Sequence, residues 1–275
     1  MSVLQVQGLA KTFGRRKVVD GVDLNVNRGE IVGLLGPNGA GKSTCFKMIC
    51  GMLAPDHGEV FLNDVNVTNW PMFRRAKVGG LGYLAQNSSV FRKLTTEQNL
   101  LAMMELLGFG RKARKARCER LLEQFNITLV RKSKAFKLSG GEKRRLEIAR
   151  CLVSDPEVIM LDEPFAAIDP VTVQSIQSVI RDLRDRDIGV LITDHSVREI
   201  LEITDRTYVI INGKMVCHGS ADVIVNNTDV KREYLGELNA STTNLKTTVP
   251  SPHLTPSTTG SKRPRRRTLR ASDLD

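Results

Sequence analysis

The run Gly36-Pro37-Asn38-Gly39-Ala40-Gly41-Lys42-Ser43 constrains this chain more than any other stretch. It matches the phosphate-binding loop pattern G-x-x-x-x-G-K-[ST]. The flanks agree with the pattern: Ile31 to Leu35 in front is an apolar run of strand length, and Thr44 to Cys50 behind reads as a helix that Gly51 stops. The glycines let the backbone curl tightly and aim several N–H groups at a polyphosphate, an approach that a Cβ would block. The helix behind the loop adds its positive N-terminal end. Lys42 then brings a full charge to the β- and γ-phosphates, and the Ser43 hydroxyl is placed to ligate Mg²⁺. The loop therefore predicts a bound nucleotide, and the use made of that nucleotide must be read elsewhere in the chain.

Two later strands end in chemistry-bearing residues. Val158 to Leu161 is a continuous apolar run, as in a parallel strand buried on both faces, and it ends at Asp162-Glu163. Open α/β sheets bind ligands at the carboxyl ends of their strands. Asp162 is placed to hold Mg²⁺ directly or through water, and Glu163 to polarise an attacking water. Val190 to Thr193 is a second such strand, and it ends at Asp194-His195. A histidine in that position reads as functional. Ser196 and Glu199 after it have the spacing of a capping box. Leu138-Ser139-Gly140-Gly141-Glu142 has the same spacing before a charged helix. It reads either as a capped helix alone or as a second anion site built from bare N–H groups, a hydroxyl and the helix dipole. Phe13, in Thr12-Phe13-Gly14, reads equally as a core aromatic or as a ring that stacks on a nucleotide base.

The rest of the chain frames these stretches. Val3, Val6 and Leu9 mark short β-like runs, and Val22 to Val26 alternates as a half-buried antiparallel strand should. Val60 to Leu62 and Leu81 to Leu84 are further short strands, the second ending at Gln86. From Ser88 to Asp155 the pattern is helical, with a capping box at Thr95 to Gln98 and a basic stretch, Arg111 to Arg120, that reads as a solvated face. Asp169-Pro170 opens another helix, with an apolar stripe of Val173, Ile176, Val179, Ile180 and Leu183. Tyr208 to Ile211, Asn212-Gly213 and Met215 to Cys217 form a hairpin pattern. A short helix is expected around Asp222 to Val225, and Lys231 to Gly236 closes the folded part.

From about Asn239 the chain is rich in Ser, Thr and Pro and ends in Lys262-Arg263-Pro264-Arg265-Arg266-Arg267, which predicts a disordered basic tail. About half of the formal net charge of +11 lies there, so the charge says little about the folded part. Its target reads as acidic lipid, nucleic acid or nothing. The 5 cysteines form no C-x-x-C pair and read as buried thiols of a reducing compartment. No apolar run approaches a membrane span and no signal-peptide core opens the chain, so a membrane role is expected to act through a partner.

Together these motifs resemble the nucleotide-binding subunits of ABC transporters, over about Val3 to Glu237. Phe13 matches the base-stacking position, Gly36 to Thr44 Walker A, and Gln86 the Q-loop. Leu138 to Glu142 matches the signature, Val158 to Asp162 Walker B, Glu163 the catalytic glutamate, Ala166 to Asp169 the D-loop and His195 the switch histidine. Within that superfamily the chain most resembles the ATPases of lipopolysaccharide export, through Val90 to Leu94, Asp162 to Pro170, Leu191 to Glu199 and Val230 to Glu237. ATPases of branched-chain amino-acid importers are the nearest alternative. Phe13 stands where Tyr is more frequent, Ala85 where Pro is common before the Q-loop glutamine, and Ser196 where Asn usually follows the histidine.

The resemblance implies an α/β P-loop NTPase (RecA-like) core with an antiparallel β subdomain and an inserted α-helical subdomain. Residues 1–87 and 156–238 would form the core with the β subdomain, 88–155 the helical subdomain, and 239–275 the tail. It implies ATP and Mg²⁺ as cofactors, with Ser43, Gln86 and Asp162 on the metal. Lys42, Gln86, Glu163 and His195 would be catalytic. Phe13, the loop residues Gly36, Pro37, Asn38, Gly39, Ala40, Gly41, Lys42, Ser43 and Thr44, and the signature residues Ser139, Gly140 and Gly141 would hold the nucleotide. Two subunits would pair head to tail, so that each signature completes the site of the other. The expected place is the cytoplasmic face of the inner membrane, docked on transmembrane subunits. A soluble ABC ATPase acting on nucleic acid is the other class considered. Such proteins usually carry paired cassettes or long coiled-coil insertions and this chain has neither, so no specific nucleic acid is expected. The docking grip is expected beside the Q-loop, at Phe91 and Arg92, with Phe91 either an aromatic anchor for the partner or a core residue of the helical subdomain.

Overall fold

The computed structural model describes residues 1–166 and 168–236. The expected basic tail lies outside the described residues, as does Ala167 of the D-loop stretch. Strand β1 (Ser2–Phe13) pairs antiparallel with β2 (Arg16–Asn27). The runs at Val3, Val6 and Leu9 belong to one strand rather than several. Gly8 adopts a left-handed φ of 58° there, and the pairing shifts register between Val6 and Leu9, which breaks the alternation seen in the sequence. β3 (Ile31–Leu35) leads through the glycine-rich loop into α1 (Lys42–Ile49). β4 (His57–Leu62) and β5 (Val65–Asn66) complete a four-stranded antiparallel sheet in the order β2-β1-β4-β5. α2 (Met72–Lys77) and β6 (Leu81–Leu84) follow.

The helical region comprises α3 (Thr96–Leu106), α4 (Arg111–Gln124) and α5 (Gly140–Cys151). β7 (Val158–Asp162), α6 (Pro170–Asp185), β8 (Gly189–Thr193), α7 (Val197–Ile203), β9 (Arg206–Ile211), β10 (Lys214–Gly219) and α8 (Ala221–Asn226) follow in order. The second sheet has the order β10-β9-β3-β8-β7-β6. Its β9, β3, β8, β7 and β6 are parallel, and β10 closes the edge as an antiparallel hairpin partner.

Every residue of β3, β7 and β8 is buried, because this sheet is covered on both faces. Val32, Leu34, Val158 and Met160 pack with Phe46 and Ile49 of α1 and with the antiparallel sheet. Ile31, Leu35, Ile159 and Leu161 pack on the other face with Leu146 and Ile148 of α5 and Ile176 and Ile180 of α6. The carboxyl ends of β6, β7 and β8 and the loop after β3 therefore emerge along one edge of a sheet that is held on both faces.

The capping boxes at Thr95 and Ser139 are formed, and the Asp169 side chain caps α6 by accepting from the Thr172 amide at 3.0 Å. The capping box expected at Ser196 and Glu199 is not. Ser196 has φ −80° and ψ 83°, outside the extended backbone that aims a cap hydroxyl at the first turn, and its side chain makes no cap bond. Asp194 Oδ1 accepts from the Ser196 amide instead, at 3.1 Å. Arg111, Lys112, Lys115 and Arg120 of α4 are exposed, as a solvated basic face requires. All 5 cysteines are free; burial pushes the Cys45 and Cys118 thiols up to about 12. Among the described residues no helix is long and apolar enough to cross a membrane.

Candidate active site

The loop after β3 is locked by close approaches that only glycine permits. A Cβ on Gly36 (φ 152°) would stand 2.0 Å from the Ile210 carbonyl oxygen of β9, and one on Gly41 (φ 110°) 2.7 Å from the Val18 carbonyl oxygen of β2. The hairpin turn takes part as well: the Gly213 amide donates to the Ala40 carbonyl at 3.0 Å, and the Asp20 amide donates to the Gly213 carbonyl at 2.8 Å. The turn thus staples the loop to β2. Residues 38–44 of the loop, with Val18, Glu163 and His195, enclose a cleft of about 160 Å³. Lys42 Nζ donates to the carbonyls of Gly36 (2.6 Å) and Pro37 (3.0 Å), so the ammonium lies over the loop. Burial lowers its pKa, and the charges of Glu163 and Asp162 act against that shift.

Three strand ends meet at Glu163. Its Oε1 lies 2.7 Å from His195 Nε2, beyond β8, and its Oε2 accepts from Gln86 Nε2, beyond β6, also at 2.7 Å. Glu163 itself follows β7 with a left-handed φ of 51°, a conformation that costs a non-glycine residue about 1–3 kcal/mol. The surroundings hold it there. Its amide donates to the Thr193 carbonyl at 2.8 Å, and two residues on the Phe165 amide donates to Asp194 Oδ2 at 2.8 Å. Burial raises the Asp194 carboxyl, and the amides of Phe165, Ser196 and His195 pull it back.

Asp162 is buried at the last position of β7. Its Oδ2 accepts from the Tyr83 hydroxyl at 3.2 Å, whereas Oδ1 is buried without a hydrogen-bond partner. Burial pushes this carboxyl above its ordinary range. An orphaned, desolvated carboxylate oxygen beside a phosphate loop fits a divalent cation. Among the described residues no cluster of three or more His, Cys, Asp or Glu side chains forms a ready-made metal cage. A cation here would take Asp162, the exposed Ser43 hydroxyl and ligand oxygens.

Other expected residues lie outside the cleft of one protomer. Phe13 ends β1 half exposed, with Lys11 Nζ 5.9 Å from its ring centre, so the core-aromatic reading falls. Ser139, Gly140 and Gly141 open α5 on the surface. The Ser139 hydroxyl accepts from the Glu142 amide at 3.3 Å and donates to Glu142 Oε2 at 2.8 Å. Gly141 packs so that a Cβ would meet the Thr172 side chain at 2.6 Å. Sequence reading missed Val18, Tyr83 and Gly213. Only the Asn-Gly turn carried a signal, and it pointed to a hairpin rather than to contact with the phosphate loop.

The model of the ABC transporter family matches residues 19–166, more than half of the chain. The protein is 53% identical over 85% of its length, and 86% of the relative's, to an uncharacterized ABC transporter ATP-binding protein of Rhizobium meliloti. It is 47% identical to the lipopolysaccharide export system ATP-binding protein LptB of Haemophilus influenzae, over 86% of this chain and 98% of that one. The crystal structure of the ADP conformation of an ATP-binding cassette of an ABC transporter superposes with a TM-score of 0.77 at 28% identity, covering 86% of this chain and all of that one. The resemblance carried by the motifs and the P-loop NTPase fold expected from it are borne out. The chain belongs to the ABC transporter family, as one of its ATP-hydrolysing ATP-binding subunits.

Proposed function

We propose that this protein is the Mg²⁺-dependent ATPase that powers lipopolysaccharide export from the inner membrane. The observation that carries the cargo is its 47% identity to an ATPase named for that export, over nearly the whole of that relative. In this reading, two subunits pair head to tail on the cytoplasmic face of the membrane. Lys42 and the loop amides bind the ATP phosphates, and Phe13 stacks on the base. Ser139, Gly140 and Gly141 of the partner subunit reach the γ-phosphate when the pair closes. Ser43, Asp162 and Gln86 hold Mg²⁺, which when bound neutralises phosphate charge. Glu163 polarises the attacking water and His195 orients the reacting phosphate beside it. The cargo is tested by depleting the protein in its host. Lipopolysaccharide should then accumulate in the inner membrane with branched-chain amino-acid uptake unchanged. Normal lipopolysaccharide transit with lost uptake would overturn the assignment.

The metal role of Asp162 makes a prediction that does not depend on turnover. Burial raises its carboxyl, so the ionised form costs the fold stability once the pH exceeds the ordinary carboxylate range. Asp162→Asn removes that charge and keeps an acceptor for Tyr83. The ligand-free variant should melt no lower than wild type at neutral pH. Wild type should gain more thermal stability from ATP with Mg²⁺ than from ATP with a chelator, and the variant should lose that difference. A Mg²⁺-dependent shift that persists in the variant would remove Asp162 from the metal site.

Docking on transmembrane subunits is assigned to Phe91 and Arg92. Phe91 is 41% exposed, which speaks against the core reading. Its ring lies over the Arg150 guanidinium at 4.7 Å, and Asn99 clamps its backbone at both N–H (2.8 Å) and C=O (3.1 Å). An exposed aromatic ring on a held backbone, with the exposed Arg92 beside it, suits the centre of an interface. Phe91→Ala and Arg92→Ala should abolish co-purification with the membrane subunits while ATP binding and the melting temperature of the free subunit stay near wild type. Full co-purification of both variants would move the grip elsewhere.

A further inference from the structure

Helix α5 carries three charged side chains at three-residue spacing that are almost completely buried: Arg144 (6% exposed), Glu147 (4%) and Arg150 (8%). None of their contacts is a simple surface ion pair. Arg144 Nε donates to the Pro164 carbonyl at 2.9 Å, and a second guanidinium nitrogen donates to the Glu163 carbonyl. Its third nitrogen donates to Glu147 Oε2 at 3.0 Å. Glu147 Oε1 in turn accepts from the Ser88 hydroxyl at 2.5 Å, two residues beyond Gln86. Arg150 donates to the Ser89 carbonyl and underlies the Phe91 ring. One rigid helix therefore touches the turn that holds Glu163, the loop that holds Gln86, and the ring assigned to the membrane partner.

A buried ion pair is a poor source of stability, since apolar residues of similar volume often serve as well or better. What Arg144 supplies that an apolar residue could not is a planar fork that fixes two consecutive carbonyls. Those carbonyls belong to Pro164 and to Glu163, the left-handed residue whose carboxylate reaches Gln86 and His195 across 2.7 Å contacts. With both peptide oxygens held from α5 and the Phe165 amide held by Asp194, the 163–165 turn cannot rotate, and the Glu163 carboxylate stays on its line.

We propose that Arg144, braced by Glu147, is the positioning residue for Glu163, and that α5 links the setting of that glutamate to Ser88 and Phe91. This rests on the reading that Glu163 polarises the attacking water. Movement of the docking segment then acts on hydrolysis through side chains of α5 that never touch the nucleotide of their own subunit.

The test is steady-state ATP hydrolysis by the full chain carrying Arg144→Met together with Glu147→Met, which removes both members of the buried pair. A misplacement of about 1 Å costs on the order of 10²-fold in rate, so kcat should fall by at least about tenfold. KM for ATP should stay within about twofold, and the melting temperature within a few degrees. In a Glu163→Gln background the same pair of changes should lower the residual rate no further, because the effect passes through Glu163. A folded double variant with wild-type kcat would overturn the proposal, as would a loss that multiplies in full onto Glu163→Gln. Should the double variant fail to fold, Arg144→Lys keeps the charge balance but cannot span both carbonyls. Its kcat should fall with KM unchanged, and a wild-type kcat there also overturns the proposal. Glu163→Gln alone separates the two readings. If it hydrolyses ATP normally, the role of Glu163 itself is wrong; if it is inactive while the Arg144 and Glu147 variants run at full rate, only the positioning is wrong.

Discussion

Glu163→Gln is expected to lower ATP hydrolysis by about 10²–10⁴-fold, the usual contribution of a positioned base, and to leave ATP binding intact. The two effects separate because the binding groups and the carboxylate come from different elements. Residues 38–44 of the phosphate loop line the cleft and are held by β2, β9 and the Gly213 turn, whereas the Glu163 carboxylate is held by Gln86 and His195. The change itself is nearly isosteric. Glu163 Oε2 accepts a hydrogen bond from Gln86, and its Oε1 is in 2.7 Å contact with His195 Nε2. A glutamine offers one acceptor oxygen and an NH₂ that cannot accept, so one of the two contacts is lost or inverted. With a base that can no longer polarise water, the nucleotide should remain trapped and the paired subunits should accumulate as a closed dimer. Hydrolysis, equilibrium binding of labelled ATP and size-exclusion chromatography with ATP present measure the three parts. Wild-type turnover would refute the role, and loss of binding in parallel with turnover would show that Glu163 shapes the cleft rather than the chemistry.

Arg75→Met is expected to cost on the order of 3 kcal/mol of stability, because it takes the donor from buried carbonyls at about 1–3 kcal/mol each, or on the order of 10 °C in melting temperature. Arg75 is 1% exposed. Its guanidinium donates to the carbonyls of Met48 (2.8 Å), Ile49 (2.5 Å), Thr68 (2.7 Å) and Trp70 (2.9 Å). Among the described residues it forms no salt bridge with a carboxylate, and burial pushes its pKa down to about 10. Met48 and Ile49 close α1, the helix that follows the phosphate loop, where the last carbonyls have no partners within the helix and carry its negative end. Arg75 answers both needs with one planar group. Methionine fills much of the volume but leaves the Ile49, Thr68 and Trp70 carbonyls without this donor, whereas Met48 keeps the Gly51 amide at 3.2 Å; an unsatisfied buried acceptor costs about 1–3 kcal/mol, not simply additively. Thermal and urea melts read the loss. A cost below about 1 kcal/mol would mean that water or a shifted backbone replaces the guanidinium.

The two substitutions probe residues that were unequally legible in the amino-acid sequence. Glu163 was marked by an acidic pair at the end of an apolar strand-length run, a pattern with one common structural meaning. Arg75 lies in the segment between Trp70 and Lys77 with another arginine and a lysine, and nothing in that spacing separates it from an ordinary solvated cation. The difference recurs in α5. Ser139 and Glu142 announce the cap by their spacing, whereas Arg144, Glu147 and Arg150 resemble the charged face of any surface helix.

What the sequence by itself determined was whatever depends on neighbouring residues. The phosphate loop, the buried strands β3, β7 and β8, the capping boxes at Thr95 and Ser139, and the Asn-Gly hairpin all follow from local stereochemistry: φ freedom at glycine, side-chain reach over one helical turn, and apolar runs long enough for a covered strand. Ser196 shows the limit even there, since its spacing fitted a cap and its backbone did not. Only the tertiary structure decided which charges lose water. The meeting of Gln86, Glu163 and His195 needs three strands in register, the orphaned Asp162 Oδ1 needs a covered sheet edge, and the burial of Arg75 and Arg144 needs carbonyls brought from distant segments. A charged side chain is buried only where partners arrive to replace its hydration, and those partners lie far away in the chain.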